Sequence, residues 1–379
     1  MVRAWRAAAV LLLNTLLLLI AAEGLAAAWV WWTAPRPATP LNAAGRAAEV
    51  LSDDGDRLTV DYWPHVGWRA HPLTSETVNV DEGGNRVTPG QDCGPGAFTV
   101  FVFGGSTVFG YGVADADTVP AQIQRQLAVR HQGPTCVRNL GQFGWSSTHS
   151  VIALVRELQE RPAPDLVVFY DGFNEVNLLG DDGVAGGPPR GTPEYDGAIA
   201  VARAARHGAA TALLELLRST HLHAVVGPWG LGSPEPTDES DPPVSPEAIV
   251  RAYLANVDSV RGIATAHGFR AAFFWQPTLW VKRGPRTPEE EQVLADSPVR
   301  AGAPRLLQAT YPLIAAEAAR RPDLFYLGAI FDEVTTPTPY LDECHLTPAG
   351  NAVAAAHVVR RLAGSGLLPE TASQDANPR

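Results

Sequence analysis

The chain of 379 residues is 46% hydrophobic and 18% charged, which supplies a large core and speaks against wholesale disorder. At roughly 150 residues per domain this length fits two or three units, or one large α/β domain. A formal charge of −11 argues against nucleic acid as a partner, and three cysteines are too few for a disulfide scaffold or a paired-CxxC zinc ribbon.

The N-terminus differs from the rest. Arg3 and Arg6 precede an apolar run from Ala7 to Ala28, broken only at Asn14, Thr15, Glu23 and Gly24. As a helix that run is roughly 33 Å long, enough to cross a bilayer core of about 30 Å. Trp29, Trp31 and Trp32 follow where an aromatic belt belongs, and the flanking arginines place the N-terminus in the cytoplasm. The expectation is a signal-anchor over 1–32 with the remainder extracytoplasmic. A secretory signal peptide cleaved after Ala26-Ala27-Ala28 is the alternative.

Ala34 to Pro40 holds three prolines, so 33–57 reads as an extended linker. Residues 58–96 read as a small β-rich leader: 58–63 and 76–81 alternate in the strand manner, and Gly83-Gly84-Asn85 suits a turn. From Ala97 strands and helices alternate. Strands are expected at Phe98–Phe103, Cys136–Leu140, Asp165–Tyr170, Phe269–Trp275 and Leu324–Ile330. Helices are expected at Val119–His131, Ser147–Glu160, Ile199–Leu217, Ala248–His267, Val299–Arg320 and Pro348–Leu362. The pattern predicts an α/β domain over 97–365 with a parallel sheet between helices, a loop-rich insertion over 177–268, and a flexible tail over 366–379.

Open parallel sheets carry their chemistry at the carboxyl ends of the strands. Those ends present Gly104-Gly105-Ser106-Thr107, Asn139 to Gly144, Asp171 to Glu175, and Asp342 to Pro348. A serine hydroxyl needs an imidazole to take its proton, and the imidazole needs a carboxylate to fix its tautomer. Ser106, His345 and Asp342 are candidates for these roles, with Asp342 three residues before His345. Thr347 and Pro348 suit the entrance of the last helix and would hold His345 rigidly. The amides of Ser106 and Gly144 and the carboxamide of Asn174 are candidate oxyanion donors. Cys344 reads as a buried neighbour of the site, and His71 and His149 as structural. A Gly-x-Ser-x-Gly elbow, a complete P-loop and a His-Glu-x-x-His are all missing from the sequence, so neither a cofactor nor a catalytic metal is expected.

These four blocks resemble those of the SGNH (GDSL-type) hydrolase superfamily. Gly104-Gly-Ser-Thr107 is similar to its first block, with glycine where aspartate usually precedes the serine. Asn139-x-Gly-x-x-Gly144 is similar to the second block. Gly172-x-Asn174-Glu175 is similar to the third, with Glu where Asp is common, and Asp342-x-x-His345 to the last. The resemblance spans about 97–365 and implies a flavodoxin-like three-layer sandwich with strand order 2-1-3-4-5. It implies Ser106 as nucleophile, His345 as base, Asp342 as its partner, and Gly144 and Asn174 as oxyanion donors. The implied reaction is ester cleavage through an acyl-enzyme, on an envelope carbohydrate or lipid. An O-acyltransferase using the same site and a binding module with a degenerate triad are the alternatives. In that strand order Cys93 and Cys136 begin neighbouring strands on one sheet edge. A disulfide between them is therefore expected in an oxidising compartment, with Cys344 left free.

Overall fold

The computed structural model describes residues 2–33, 57–131, 133–177, 244–297, 299, 302–334 and 337–369. The expected linker, the helix at 199–217 with the loops beside it, and the end of the tail lie outside the described residues. The chain divides into two units, Met1–Ala38 with Pro189–Pro242, and Thr39–Pro188 with Pro243–Arg379.

In the first unit, Val2–Thr33 form one continuous helix, α1. Among the described residues no helix is long and apolar enough to cross a membrane. Inside the expected span, the side chains of Ala7–Ala9, Leu12 and Leu16 lie outside the described residues.

The second unit opens with an antiparallel hairpin, β1 (Val60–Trp63) and β2 (Gly67–Ala70). The stretch expected as a further strand at 76–81 makes only isolated bridges, Leu73 to Val80 and Val80 to Arg86. Side chains have taken its ladder donors: Ser75 Oγ accepts from the amides of Thr77 and Val78, and Asp115 accepts from the amide of Asn79.

A five-stranded sheet follows. Its strands are β3 (Phe98–Gly104), β4 (Thr135–Asn139), β5 (Leu166–Asp171), β6 (Arg270–Trp275) and β7 (Leu324–Tyr326). They run in parallel in the order β4-β3-β5-β6-β7, which is the 2-1-3-4-5 arrangement. β7 stops four residues short of the expected Ile330. Past Gly328 the chain folds back on itself, Ile330 N–H donating to Leu327 O and Asp332 N–H to Ala329 O.

Helices connect the strands: α2 (Ser106–Phe109), α3 (Val119–Arg130), α4 (Ser147–Glu160), α5 (Phe173–Asn177), α6 (Pro246–His267), α7 (Pro288–Asp296), α8 (Ala303–Ala318) and α9 (Pro348–Gly364). Period-2 burial along the strands sorts the layers. Phe98, Val100 and Val102 of β3 pack with Ile123 and Leu127 of α3 and with Val358 and Leu362 of α9. On the other face Phe103, Phe169 and Phe273 stack in a row, and Trp275 meets Tyr253 of α6 and Tyr311 of α8 edge to face. α6 lies inside the stretch read as an insertion, yet it forms part of this layer.

Parallel pairing of β3 with β4 sets Thr99 opposite Cys136, and Cys93 lies just ahead of β3 on the same edge. The two cysteines are joined, with Cα atoms 4.8 Å apart, and Cys344 is free and buried. The bridge closes a separation of 43 residues. On the chain-entropy account, such a closure stabilises the native state by about 4 kcal/mol. Replacing Cys93 and Cys136 together by serine is expected to remove stability of that order, read as a lower urea midpoint. An unchanged midpoint would show that the denatured chain gains nothing from the link.

Candidate active site

β3 lies between β4 and β5, so the chain leaves its carboxyl end at the point where strand order reverses. There Ser106 opens the short helix α2, which Gly110 closes in the left-handed region at φ 94°. Asn139 at the end of β4 secures this turn. Its side chain donates to Val108 O at 2.9 Å and accepts from Gly141 N–H at 3.1 Å.

His345 reaches the same point from the loop before α9. Thr347 caps that helix by accepting from Gly350 N–H, and Pro348 occupies its first turn, as the sequence suggests. His345 Nε2 lies 2.7 Å from Ser106 Oγ, and His345 Nδ1 lies 2.6 Å from Asp342 Oδ2. The other oxygen, Asp342 Oδ1, accepts from the amides of Cys344 at 2.9 Å and His345 at 2.7 Å. Burial alone would raise Asp342, but the positive charge and hydrogen bonds of His345 hold it down, at about 2. An ionised carboxylate only accepts, so Nδ1 carries the ring proton and Nε2 offers its lone pair to the serine hydroxyl. For His345, burial disfavours the cation, but the Asp342 carboxylate outweighs it and the net shift is upward.

The donors for a developing oxyanion come from two further strand ends. Gly144 sits in the left-handed region at φ 64°, and neither its amide nor that of Ser106 is donated within the chain among the described residues. Asn174, near the start of α5, donates one amide hydrogen to Trp145 O at 2.9 Å, leaving the other for a ligand. A Cβ at position 105 would lie 2.4 Å from Asn174 Nδ2 and 3.1 Å from Trp145 O. Glycine before the serine, the departure noted in the sequence, leaves room in this chain for so close an approach of the Asn174 carboxamide. Asn174→Ala is expected to lower kcat by about 10²–10³ with little change in KM. A nearly unchanged kcat in steady-state assays would leave Asn174 only its bond to Trp145.

Several supports were not legible in the sequence. Glu175 ties the third block to α4 by accepting from the amides of Ser147 and Gly172. Asp171 beside it is fully buried, and burial together with the Glu175 charge pushes its carboxyl well up. The leader clamps the loop that carries Gly144. Trp68 Nε1 donates to Phe143 O at 2.7 Å, Ala70 N–H to Gln142 Oε1 at 2.8 Å, and Gln142 Nε2 to Gly84 O at 2.6 Å. Tyr111 lays its ring 4.7 Å from the His345 imidazole.

His149 accepts at the N-terminus of α4 from the Ser146 amide and packs beside Trp68 and Trp145. Burial lowers it to about 4, which keeps it neutral. His71 pairs with Asp61 on the surface. Cys344 is pushed well up by burial and by the Asp342 and Glu343 charges, so it is a thiol, not a nucleophilic thiolate.

Among the described residues one set of three metal-capable side chains stands close together: Asp342, Cys344 and His345, with ligand atoms within 4.8 Å. Asp342 Oδ2 and His345 Nδ1 are 2.6 Å apart, whereas two such ligands on one tetrahedral zinc stand about 3.3 Å apart. That spacing belongs to a proton-sharing pair.

No family model matches the chain, and no curated protein matches it either. Among solved structures the chain is similar to TesA, with 16% identity, 71% of this chain and 99% of that chain covered, and a TM-score of 0.36. It is also similar to Axe2, an acetylxylan esterase from Geobacillus stearothermophilus, with 15% identity, 71% and 95% covered, and a TM-score of 0.36. A lipolytic protein of the G-D-S-L family from Veillonella parvula shares 10% identity over 70% and 97% of the two chains, at a TM-score of 0.38.

Proposed function

We propose that this chain is a serine esterase of the SGNH type that cleaves an acyl ester on an envelope carbohydrate or lipid. The observation that carries this reading is the continuous line from Ser106 Oγ through His345 to Asp342, with undonated amides beside it. Ser106 Oγ attacks the acyl carbonyl while His345 Nε2 takes its proton, and Asp342 stabilises the imidazolium so formed. The amides of Ser106 and Gly144 and the Asn174 carboxamide hold the oxyanion. His345 then gives its proton to the departing alcohol, and water activated by the same imidazole releases the acid and restores Ser106.

We further place the catalytic unit outside the cytoplasmic membrane, held there by α1. A largely apolar helix suits lipid. Leu11, Leu13, Leu17, Leu18, Leu19, Ile20 and Leu25 are all exposed on it, with Arg3 and Arg6 before them. One experiment tests both parts. A membrane-impermeant fluorophosphonate applied to intact cells is expected to label Ser106 in protein that resists carbonate extraction from the membrane. Labelling only after lysis would reverse the orientation, and a label elsewhere would move the nucleophile. Product analysis with an acceptor sugar should yield free acid throughout. Acyl-sugar rising in proportion to the acceptor would make the enzyme a transferase.

A further inference from the structure

Both groups beside Ser106 that face an oxyanion from the Gly144 loop and from α5 lead back to one residue of the leader. Trp68, buried in β2, donates its indole Nε1–H to Phe143 O at 2.7 Å. Its backbone carbonyl accepts from Trp145 Nε1–H at 3.2 Å. These two bonds fall on the residues either side of Gly144. Trp145 O in turn accepts from Asn174 Nδ2 at 2.9 Å.

The bond to Phe143 O sets the direction of the Gly144 donor. Phe143 C=O and Gly144 N–H belong to one planar peptide unit, and in a trans peptide they point in opposite directions. Holding the carbonyl against the Trp68 indole therefore fixes the line along which Gly144 N–H points. Gly144 cannot hold that plane by itself. It stands at φ 64°, and glycine populates positive and negative φ about equally readily. With Phe143 O released, rotation of the peptide unit would turn the amide away from the oxyanion.

Gln142 secures the start of the same loop. Its buried side chain accepts from Ala70 N–H at 2.8 Å and donates to Gly84 O at 2.6 Å. Its backbone N–H donates to Gly104 O at 3.1 Å, two residues before Ser106. The loop is thus strung between the leader and the strand end that presents the nucleophile. β2 is itself held to α4 by the buried ion pair of Arg69 with Glu157 at 3.2 Å.

Resting on the esterase reading above, we propose that Trp68 is a positioning residue of the active site. Through the Phe143–Gly144 peptide it aims the Gly144 amide at the oxyanion, and Gln142 holds the loop for it. The leader is therefore part of the catalytic apparatus.

Steady-state hydrolysis of p-nitrophenyl acetate by the full chain in detergent tests this, with active sites counted by exhaustive fluorophosphonate labelling. Trp68→Phe keeps an aromatic ring beside His149 and loses the indole donor. Turnover per labelled Ser106 is expected to fall by between about tenfold and about 10³, the range from a misaimed donor to a lost one. KM should stay within about twofold. The acid limb of kcat/KM should not move, because the bonds among Ser106, His345 and Asp342 are unchanged. Gln142→Met, which removes both side-chain bonds to the leader, should lower turnover per site in the same way, and it serves where Trp68→Phe does not fold. Leu127→Ala in the core between α3 and α9 is the control for general loosening. Its cavity should lower the thermal midpoint while each labelled site keeps the parent turnover. Parent turnover per labelled site in the Trp68 and Gln142 variants, with only fewer sites or a lower midpoint, would reduce these bonds to docking and overturn the proposal. An equal fall in Leu127→Ala would overturn it as well. Full labelling of the parent at Ser106 alongside either result would leave the esterase reading standing. A parent that does not label at Ser106 would sink that reading and this proposal with it.

Discussion

Ser106→Ala is expected to lower ester turnover by on the order of 10⁶, the loss that follows removal of a triad nucleophile. It should also abolish fluorophosphonate labelling. The structure explains why the fold should survive the change. Ser106 Oγ has one hydrogen bond, to His345 Nε2, and alanine is a good helix former at the first position of α2. The backbone donor of residue 106 is untouched, so the oxyanion site stays complete. Residual catalysis of about 10³–10⁴ over water is therefore expected from the donors and binding alone. Far-UV circular dichroism and thermal midpoint should match the parent. Full labelling of the variant protein would place the nucleophile elsewhere.

Elements with strong local signals were legible in the sequence. β3, β4, β5 and β6 are apolar runs, and their observed ends fall within a residue or two of the expected ones, because strands buried on both faces need continuous hydrophobicity. α4 begins at the expected Ser147, and α9 begins at Pro348, where its capping residue Thr347 predicts. α7 is not among the expected helices although Thr287-Pro-Glu-Glu290 carries the capping-box signature, and in the structure Thr287 and Glu290 bond reciprocally. The region expected as helix from Val299 starts instead at Ala303, after Gly302 in the left-handed region. The second leader strand failed for a reason part local and part not: Ser75 claims the amides of Thr77 and Val78 nearby, and the distant Asp115 claims that of Asn79.

The same division runs through the candidate site. Ser106, His345, Asp342, Gly144 and Asn174 stood out because each ends a strand or begins a helix with chemistry-bearing residues. Their supports did not, because they act across the sheet. The leader holds the Gly144 loop through Trp68, Ala70 and Gly84, more than fifty residues away in sequence. Two buried pairs fasten the leader further, Arg69 with Glu157 and Arg86 with Asp115. No periodicity in one sequence announces such partners. Only the folded sheet brings them together.

Asp342→Asn is expected to lower kcat by about 10⁴, the loss seen when a triad carboxylate becomes an amide. The local hydrogen bonds give the reason. Oδ1 of residue 342 accepts from two backbone amides, so in the variant the carboxamide oxygen must keep that position. The amide nitrogen then takes the place of Oδ2, facing His345 Nδ1. An amide N–H donates, so Nδ1 must become the acceptor and the ring proton moves to Nε2. In that tautomer Nε2 cannot take the proton of Ser106. The pH profile should separate this from a structural loss. The base acts when neutral, and the Asp342 carboxylate holds His345 above the usual imidazole value near 6.5. The parent should therefore lose kcat/KM as pH falls through that raised value, with Asp342 still ionised down to about 2. In the variant the carboxylate no longer favours the imidazolium while burial still opposes it, so the acid limb should move to lower pH. KM should change little, since Asp342 contacts His345 and not the substrate. A loss under tenfold with an unmoved acid limb would reduce Asp342 to holding the loop in place.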